Sequence, residues 1–207
     1  MEKIGVFGGT FNPPHLGHLH IAGSFAKEYN LSKVLIIPTY IPPHKESPLL
    51  ASSEARLKMC RETFTDDFFE VSELEILRQG KSYTYDTIKE LRTLYPDVQI
   101  FFLVGDDMLT SLHTWRRPKD ILKLCTVVAS TRCDEISVKQ LKKYAEEYFP
   151  EELSAGKIKF LETKPIEISS TEIRNKIEKG EDVKDFLSAG TLKYIITGGL
   201  YNAGTQG

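Results

Sequence analysis

Cysteine is scarce in this chain: Cys60, Cys125 and Cys133 are the three among 207 residues. Their number is odd and no pair stands in C-x-x-C spacing, so a disulfide framework is excluded; they read as reduced thiols with packing roles, as in a cytoplasmic protein. Long apolar runs are also missing. The longest, VLII and IFFLV, fall far short of the roughly 20 residues that a membrane span needs. The apolar run behind Met1-Glu2-Lys3 stops at Gly8, too soon for a signal-peptide core. Surplus positive charge is absent as well: 27 Lys and Arg against 29 Asp and Glu leave a net charge of −2. That speaks against nucleic acid as a partner but allows a local cationic pocket for a small anion. Neither common nucleotide loop occurs. The first strand is not followed by G-x-G-x-x-G, and G-x-x-x-x-G-K-[ST] appears nowhere, which excludes the dinucleotide fingerprint and a Walker-type ATPase. There is no internal repeat, low-complexity tract or linker.

What is present suits a folded protein. The hydrophobic share of 41% and the charged share of 27% are those of a soluble globular chain. A chain of this length buries roughly 70% of its unfolded surface and needs no staples. The expected organisation is a single domain over residues 1–207, with a helical C-terminal part from about residue 170.

Short β-rich runs recur: KIGVFG, KVLIIP, FFEVSEL, VQIFFLVG, CTVVAS and KIKFLE. Several are continuously apolar, as strands buried on both faces are. Helical periodicity fills the gaps between them. LGHLHIAGSFAKEYN places Leu19, Ala22, Ala26 and Tyr29 on one face; SSEARLKMCRETF brings Arg56, Met59 and Cys60 near one another; YTYDTIKELRTLYP groups Ile88, Leu91 and Leu94 and ends before Pro96; SVKQLKKYAEEYFP ends before Pro150. This alternation predicts an α/β fold, a doubly wound and mostly parallel sheet. The closing TGGLYNAGTQG reads as a frayed tail, because no helix follows its glycines.

Ligands of such sheets bind at the carboxyl ends of strands, so the residues after each strand matter most. After the first comes GGTFNPPHLGHLH. Gly8 and Gly9 let backbone approach a ligand closely, Pro13 and Pro14 stiffen the loop, and a helix begins near Leu16 or Gly17. His18 then sits in the first helical turn, where free N–H groups favour anions, and His15 faces the same point. Three readings are open for these imidazoles: a phosphate clamp, a metal site completed by His20, or histidines that are incidental. The metal site lacks a nearby cysteine or carboxylate, and His20 is expected to face away. After the second strand, Pro42-Pro43 holds His44 and Lys45 on a stiff loop; Lys45 suits a phosphate, or the loop is a solvated turn. After the fourth, Gly105 allows a tight exit and Asp107 is placed to accept a ribose hydroxyl. Trp115 stands between Thr114 and Arg116-Arg117, either as core or as a stacking platform. After the last strand, Ser169 and Glu172 form a capping box. Ser170, Thr171 and Arg174 then offer hydroxyls, amides and a guanidinium on one helix end, which is either an anion site or an ordinary cap.

GGTFNPPHLGH together with ISSTEIR resembles the nucleotidyltransferase superfamily that carries the H-x-G-H signature. IPPHK, YTYDT, VGDDML…W and YIITGGLY, in that order, are similar to bacterial nicotinate mononucleotide adenylyltransferases, from Gly8 to Tyr201. The resemblance implies a Rossmann-like enzyme of NAD biosynthesis that transfers the adenylyl group of ATP to nicotinate mononucleotide, with Mg²⁺ carried on the ATP phosphates. It implies that His15, His18 and Arg174 are catalytic. ATP would be bound by Gly8, Gly9, Thr10, Phe11, His15, His18, Gly105, Asp107, Ser169, Ser170, Thr171 and Arg174. The mononucleotide would meet Asn12, His44, Lys45, the Thr84 backbone, Trp115 and Arg116. Three positions depart from the family pattern: Asn12 stands where Asp is frequent, Asp106 where a small neutral residue is usual, and Arg116 where an aromatic is common. Alternatives are an acceptor such as nicotinamide mononucleotide or phosphopantetheine, or a nucleotide sensor without turnover. No membrane or nucleic-acid partner is expected, and a homo-oligomer is left open.

Overall fold

The computed structural model describes residues 1–41, 49–131, 135–164 and 166–201. His44, Lys45, Cys133 and the tail beyond Tyr201 lie outside these residues. The chain runs β1 (Lys3–Gly9), α1 (Leu16–Tyr29), β2 (Lys33–Pro38), α2 (Ser53–Thr63), β3 (Phe69–Val71), α3 (Leu74–Arg78), α4 (Thr84–Leu94) and β4 (Gln99–Val104). It continues as α5 (Asp106–Thr110), a 3₁₀ turn (Leu112–Thr114), α6 (Pro118–Leu124), β5 (Thr126–Thr131), α7 (Glu135–Tyr148), α8 (Pro150–Ser154), β6 (Ile158–Glu162), α9 (Ser170–Glu178) and α10 (Ala189–Thr197).

The strands form one sheet in the order β3-β2-β1-β4-β5-β6, parallel at every pairing among the described residues. The α/β doubly wound fold is thus as expected. Successive strand residues point to opposite faces. Leu35, Ile37, Phe102 and Val104 enter a core with Ile88 and Leu91 of α4 and Ile121 and Leu122 of α6. Their neighbours Val34, Ile36, Phe101 and Leu103 enter a second core with Ala22 and Phe25 of α1. Strands β2 and β4 each feed two cores, and this is why their runs read as continuously apolar. Gly5 of β1 lets α1 lie close: a Cβ there would meet the Phe25 ring at 2.7 Å.

A third cluster joins Met59 of α2 to Ile173 of α9, Ile195 of α10 and Tyr201. This corrects the frayed-tail expectation as far as Tyr201, which is 4% exposed. The glycines after α10 end the helix and turn the chain, with Gly199 at φ 60°, and Tyr201 docks on the core. Leu94 is a second correction. It is 60% exposed, whereas Ile88 and Leu91 are buried. Three-residue steps drift by about 60° each on a helix, so Leu94 lies about 120° from Ile88. Among the described residues no helix is long and apolar enough to cross a membrane.

Candidate active site

The sheet order reverses between β1 and β4, and the crevice outside such a switch point is where ligands bind. A cavity of about 670 Å³ opens there. Its floor is the strand exits: Gly8 and Gly9 at the end of β1, Thr39 after β2, Gly105 and Asp107 after β4, and Ser130 of β5. A smaller cavity of about 370 Å³ adjoins it, and the two share Ser82, Thr84, Thr114 and Trp115.

The loop from β1 to α1 forms one wall. Phe11 takes the left-handed backbone region at φ 49°, unusual for a bulky residue. The buried ring holds it there, edge-on to Phe7 at 5.3 Å and to His18 at 5.1 Å. His18 lines the cavity. Its Nδ1 accepts the backbone N–H of His15 at 3.2 Å, which leaves the proton of the neutral ring on Nε2. His15 lies behind it, 6% exposed, with ring centroids 3.7 Å apart. Burial pushes His15 down to about 4, against the opposing pull of the Glu172 carboxylate, so at pH 7 its ring is neutral. Gly17 explains the middle of H-x-G-H: a Cβ there would sit 2.9 Å from His15 Nδ1. His20 is exposed and bonds Thr163 Oγ1 at 3.1 Å, away from the pair. Among the described residues no group of three His, Cys, Asp or Glu could hold a metal ion.

Helix α9 forms the facing wall, and it is bonded to the loop. Arg174 donates to the Asn12 carbonyl at 2.8 Å and to Thr171 Oγ1 at 3.2 Å. Ser170 Oγ donates to the Pro13 carbonyl at 2.8 Å. Ser170, Thr171 and Arg174 line the cavity beside Gly9, Thr10 and His18. Ser169 closes the capping box instead: its Oγ accepts the Glu172 N–H at 3.2 Å, and Glu172 accepts the Ser169 N–H at 2.7 Å. Asn12 reaches the cavity, but its amide is taken up by protein. Nδ2 donates to the Leu49 carbonyl, and Oδ1 accepts from Ala51 N–H and, at 2.8 Å, from Tyr201 O–H.

At the other end Trp115 is half-buried, edge-on to Phe102 and donating from Nε1 to Ser111 Oγ at 3.3 Å. Core and platform are therefore compatible: one part of the indole packs, and the other lines both cavities. Arg116 lines the smaller cavity, paired with Asp86 at 2.9 Å and lying over the Tyr83 ring. Asp107 lines the larger one. Asp106 turns its carboxylate back onto the Asp107 N–H at 2.8 Å.

Of the expected residues, the structure brings His18, Ser170, Thr171, Arg174, Gly8, Gly9, Thr10, Phe11, Gly105, Asp107, Thr84 and Trp115 to one cavity. It sets His15 behind His18 and Ser169 in the cap. Sequence reasoning missed Arg56, which is 1% exposed and donates to the carbonyls of Ala51, Thr10 and Tyr40 at 3.0–3.1 Å. It also missed Tyr201, Thr39 and Glu75. Only Thr39 carried a signal, its place directly after a strand.

Known proteins share the sequence and the fold of this chain. The profile of the cytidylyltransferase-like family matches residues 6–176. A probable nicotinate-nucleotide adenylyltransferase of Clostridium tetani is 37% identical over 206 residues, covering 97% of this chain and all of the relative. One from Fusobacterium nucleatum is 40% identical over 93% of this chain and 96% of the relative. The fold is shared with the Plasmodium falciparum nicotinic acid mononucleotide adenylyltransferase complexed with NaAD, at a TM-score of 0.73, 19% identity, and 97% and 98% coverage of the two chains. The chain belongs to the cytidylyltransferase-like family, on the branch of the nicotinate-nucleotide adenylyltransferases.

Proposed function

We propose that this chain transfers the adenylyl group of ATP to nicotinate mononucleotide, releasing pyrophosphate and forming deamido-NAD. The observation that carries the reading is the convergence of the H-x-G-H loop and α9 on one cavity, with Arg174 bonded to the Asn12 carbonyl at 2.8 Å. A phosphate oxygen of the mononucleotide attacks the α-phosphorus of ATP in line. The new P–O bond forms as the bond to the β-phosphate bridge breaks, and pyrophosphate takes the electron pair. The attacking oxygen is already anionic, so no general base is required. Positioning and charge stabilisation are what the protein supplies.

His18 donates from Nε2 to the phosphates. His15 is a positioning residue, neutral and packed behind that ring. Arg174, Thr171 and Ser170 hold the triphosphate from the opposite wall, and Gly105 and Asp107 meet the adenosine. Trp115 stacks on the pyridine ring, with the Thr84 backbone and Arg116 at its carboxylate. Asn12 acts through its bonds to protein, shaping the loop that Arg174 grips. ATP enters as its Mg²⁺ complex. Mg²⁺ keeps its waters and is satisfied by substrate phosphates, which suits a cavity wall of hydroxyls and cations without a metal-ligand cluster among the described residues.

The test is pyrophosphate release from ATP and Mg²⁺ with nicotinate mononucleotide, nicotinamide mononucleotide or phosphopantetheine as acceptor. Release with the nicotinate form at the highest kcat/KM is expected. Release only with phosphopantetheine would make the chain a sibling transferase, and no release with any acceptor would make it a sensor.

A further inference from the structure

Trp115 holds the acceptor's ring in the function above, yet the turn that presents it is short. The 3₁₀ turn Leu112–Thr114 closes with the Thr114 N–H on the Ser111 carbonyl at 2.9 Å and the Trp115 N–H on the Leu112 carbonyl at 3.1 Å. The indole donates to Ser111 Oγ at 3.3 Å, and Thr114 Oγ1 donates to the Ser111 carbonyl at 2.7 Å. All of these bonds stay within residues 111–115. Hydrogen bonds in a 3₁₀ turn have poorer geometry than those of an α-helix, so the turn is weak alone. Leu112 is buried, but His113 and Thr114 are exposed.

A brace reaches this turn from α7. The His113 N–H donates to the Tyr144 hydroxyl oxygen at 3.0 Å. The hydroxyl's own proton is then free for His113 Nδ1, 2.7 Å away. Burial pushes the Tyr144 hydroxyl up, against the pull of the His113 N–H, so it keeps that proton at pH 7. One hydroxyl thus grips both the backbone and the side chain of His113. Tyr148, one helical turn further on, stacks on the imidazole with centroids 4.2 Å apart and planes at 25°, and on the Tyr144 ring at 4.8 Å. The helix that carries both tyrosines is anchored, because Leu141 and Ala145 are buried in the same core as Leu112. His113, Tyr144 and Tyr148 line neither cavity, so whatever they do for a ligand passes through the turn.

We propose that Tyr144 is a positioning residue for the acceptor: it fixes, through His113, the turn that sets the Trp115 ring before the pyridine arrives. This rests on the function proposed above. Tyr144 then has no role toward ATP.

The experiment uses Tyr144→Phe, which keeps the ring stack and removes the hydroxyl. KM is measured for nicotinate mononucleotide and for ATP, with and without Trp115→Ala, and the melting temperature is followed in parallel. Trp115 is the sole tryptophan, so time-resolved fluorescence anisotropy reads its nanosecond motion directly. A hydrogen bond is worth about fivefold in binding. Tyr144→Phe is expected to raise KM for the mononucleotide by about that factor, to leave KM for ATP unchanged and to add a fast component to the indole anisotropy. In the Trp115→Ala background the same substitution changes KM for the mononucleotide by less than about twofold, because it acts through the indole. The proposal is overturned if the single variant moves that KM by less than about twofold, whatever its melting temperature. It is also overturned if KM for ATP rises equally, if the anisotropy stays that of wild type, or if the full effect persists without the indole. Should Tyr144→Phe not fold, His113→Ala run through the same cycle decides. If wild type releases no pyrophosphate from nicotinate mononucleotide, the parent reading has failed; wild-type turnover with a Tyr144→Phe that handles the mononucleotide normally fails this inference alone.

Discussion

The two ends of the cavity are built differently. At the end lined by His18 and Arg174, residues 8–18 and 169–174 supply the polar groups, and they bond one another directly through the Asn12 and Pro13 carbonyls. Toward the other end, Trp115 with Arg116 and Glu75 come from separate stretches of chain and bond separate residues: Ser111, Asp86 and Thr87. The first end is a unit, so damage to one wall disturbs the other. The second is a collection of independent contacts, so its losses should add. Arg56 links the two, because it holds the Thr10 carbonyl after β1 and the Tyr40 carbonyl after β2 at once.

The sharpest test of this contrast is His18→Ala. Loss of one preorganised donor to a developing charge lowers turnover by about 10²–10³-fold. Steady-state kinetics should put the loss in kcat, with KM for the mononucleotide little changed; near-normal turnover would break the picture of the first end. Next is Arg56→Met, which strands three carbonyls in the interior. A cost of about 3 kcal/mol is expected. For a chain of this size that lowers the melting temperature by about 6–12 °C. A drop under about 2 °C would mean that the ends are not joined through this guanidinium. Trp115→Ala should weaken binding of the mononucleotide about tenfold, since an aromatic–base stack is worth roughly 1–3 kcal/mol. The smallest effect is that of Tyr201→Phe. Burial pushes the Tyr201 hydroxyl up, so it stays protonated and donates to Asn12 Oδ1. Losing that bond costs about 1 kcal/mol, or about 2–4 °C in melting temperature.

The same contrast explains what could be read before the fold was known. The end lined by His18 and Arg174 comes from two short continuous segments. Gly-Gly, Pro-Pro, two imidazoles at i and i+3, and a capping box followed by Arg one turn later each carry a local physical signature. His18 and Arg174 were legible for that reason. The other end is scattered. Glu75 sits on a five-residue helix behind a three-residue strand, with no periodicity or spacing to single it out. Arg56 was grouped with Met59 and Cys60 on its helix, but nothing in the sequence assigned it a partner. Only three carbonyls from distant loops make its burial tolerable.

Local order along the chain was enough to specify the strands and helices, their parallel winding and the two segments that meet at the cavity, because backbone preference, capping and hydrophobic period act over a few residues. Tertiary packing alone decided that His15 is buried and neutral behind His18, that Tyr201 anchors the loop through Asn12, and that the Arg56 guanidinium bonds the Thr10 and Tyr40 carbonyls. Burial and long-range hydrogen bonds are properties of the assembled molecule, and no stretch of sequence carries them by itself.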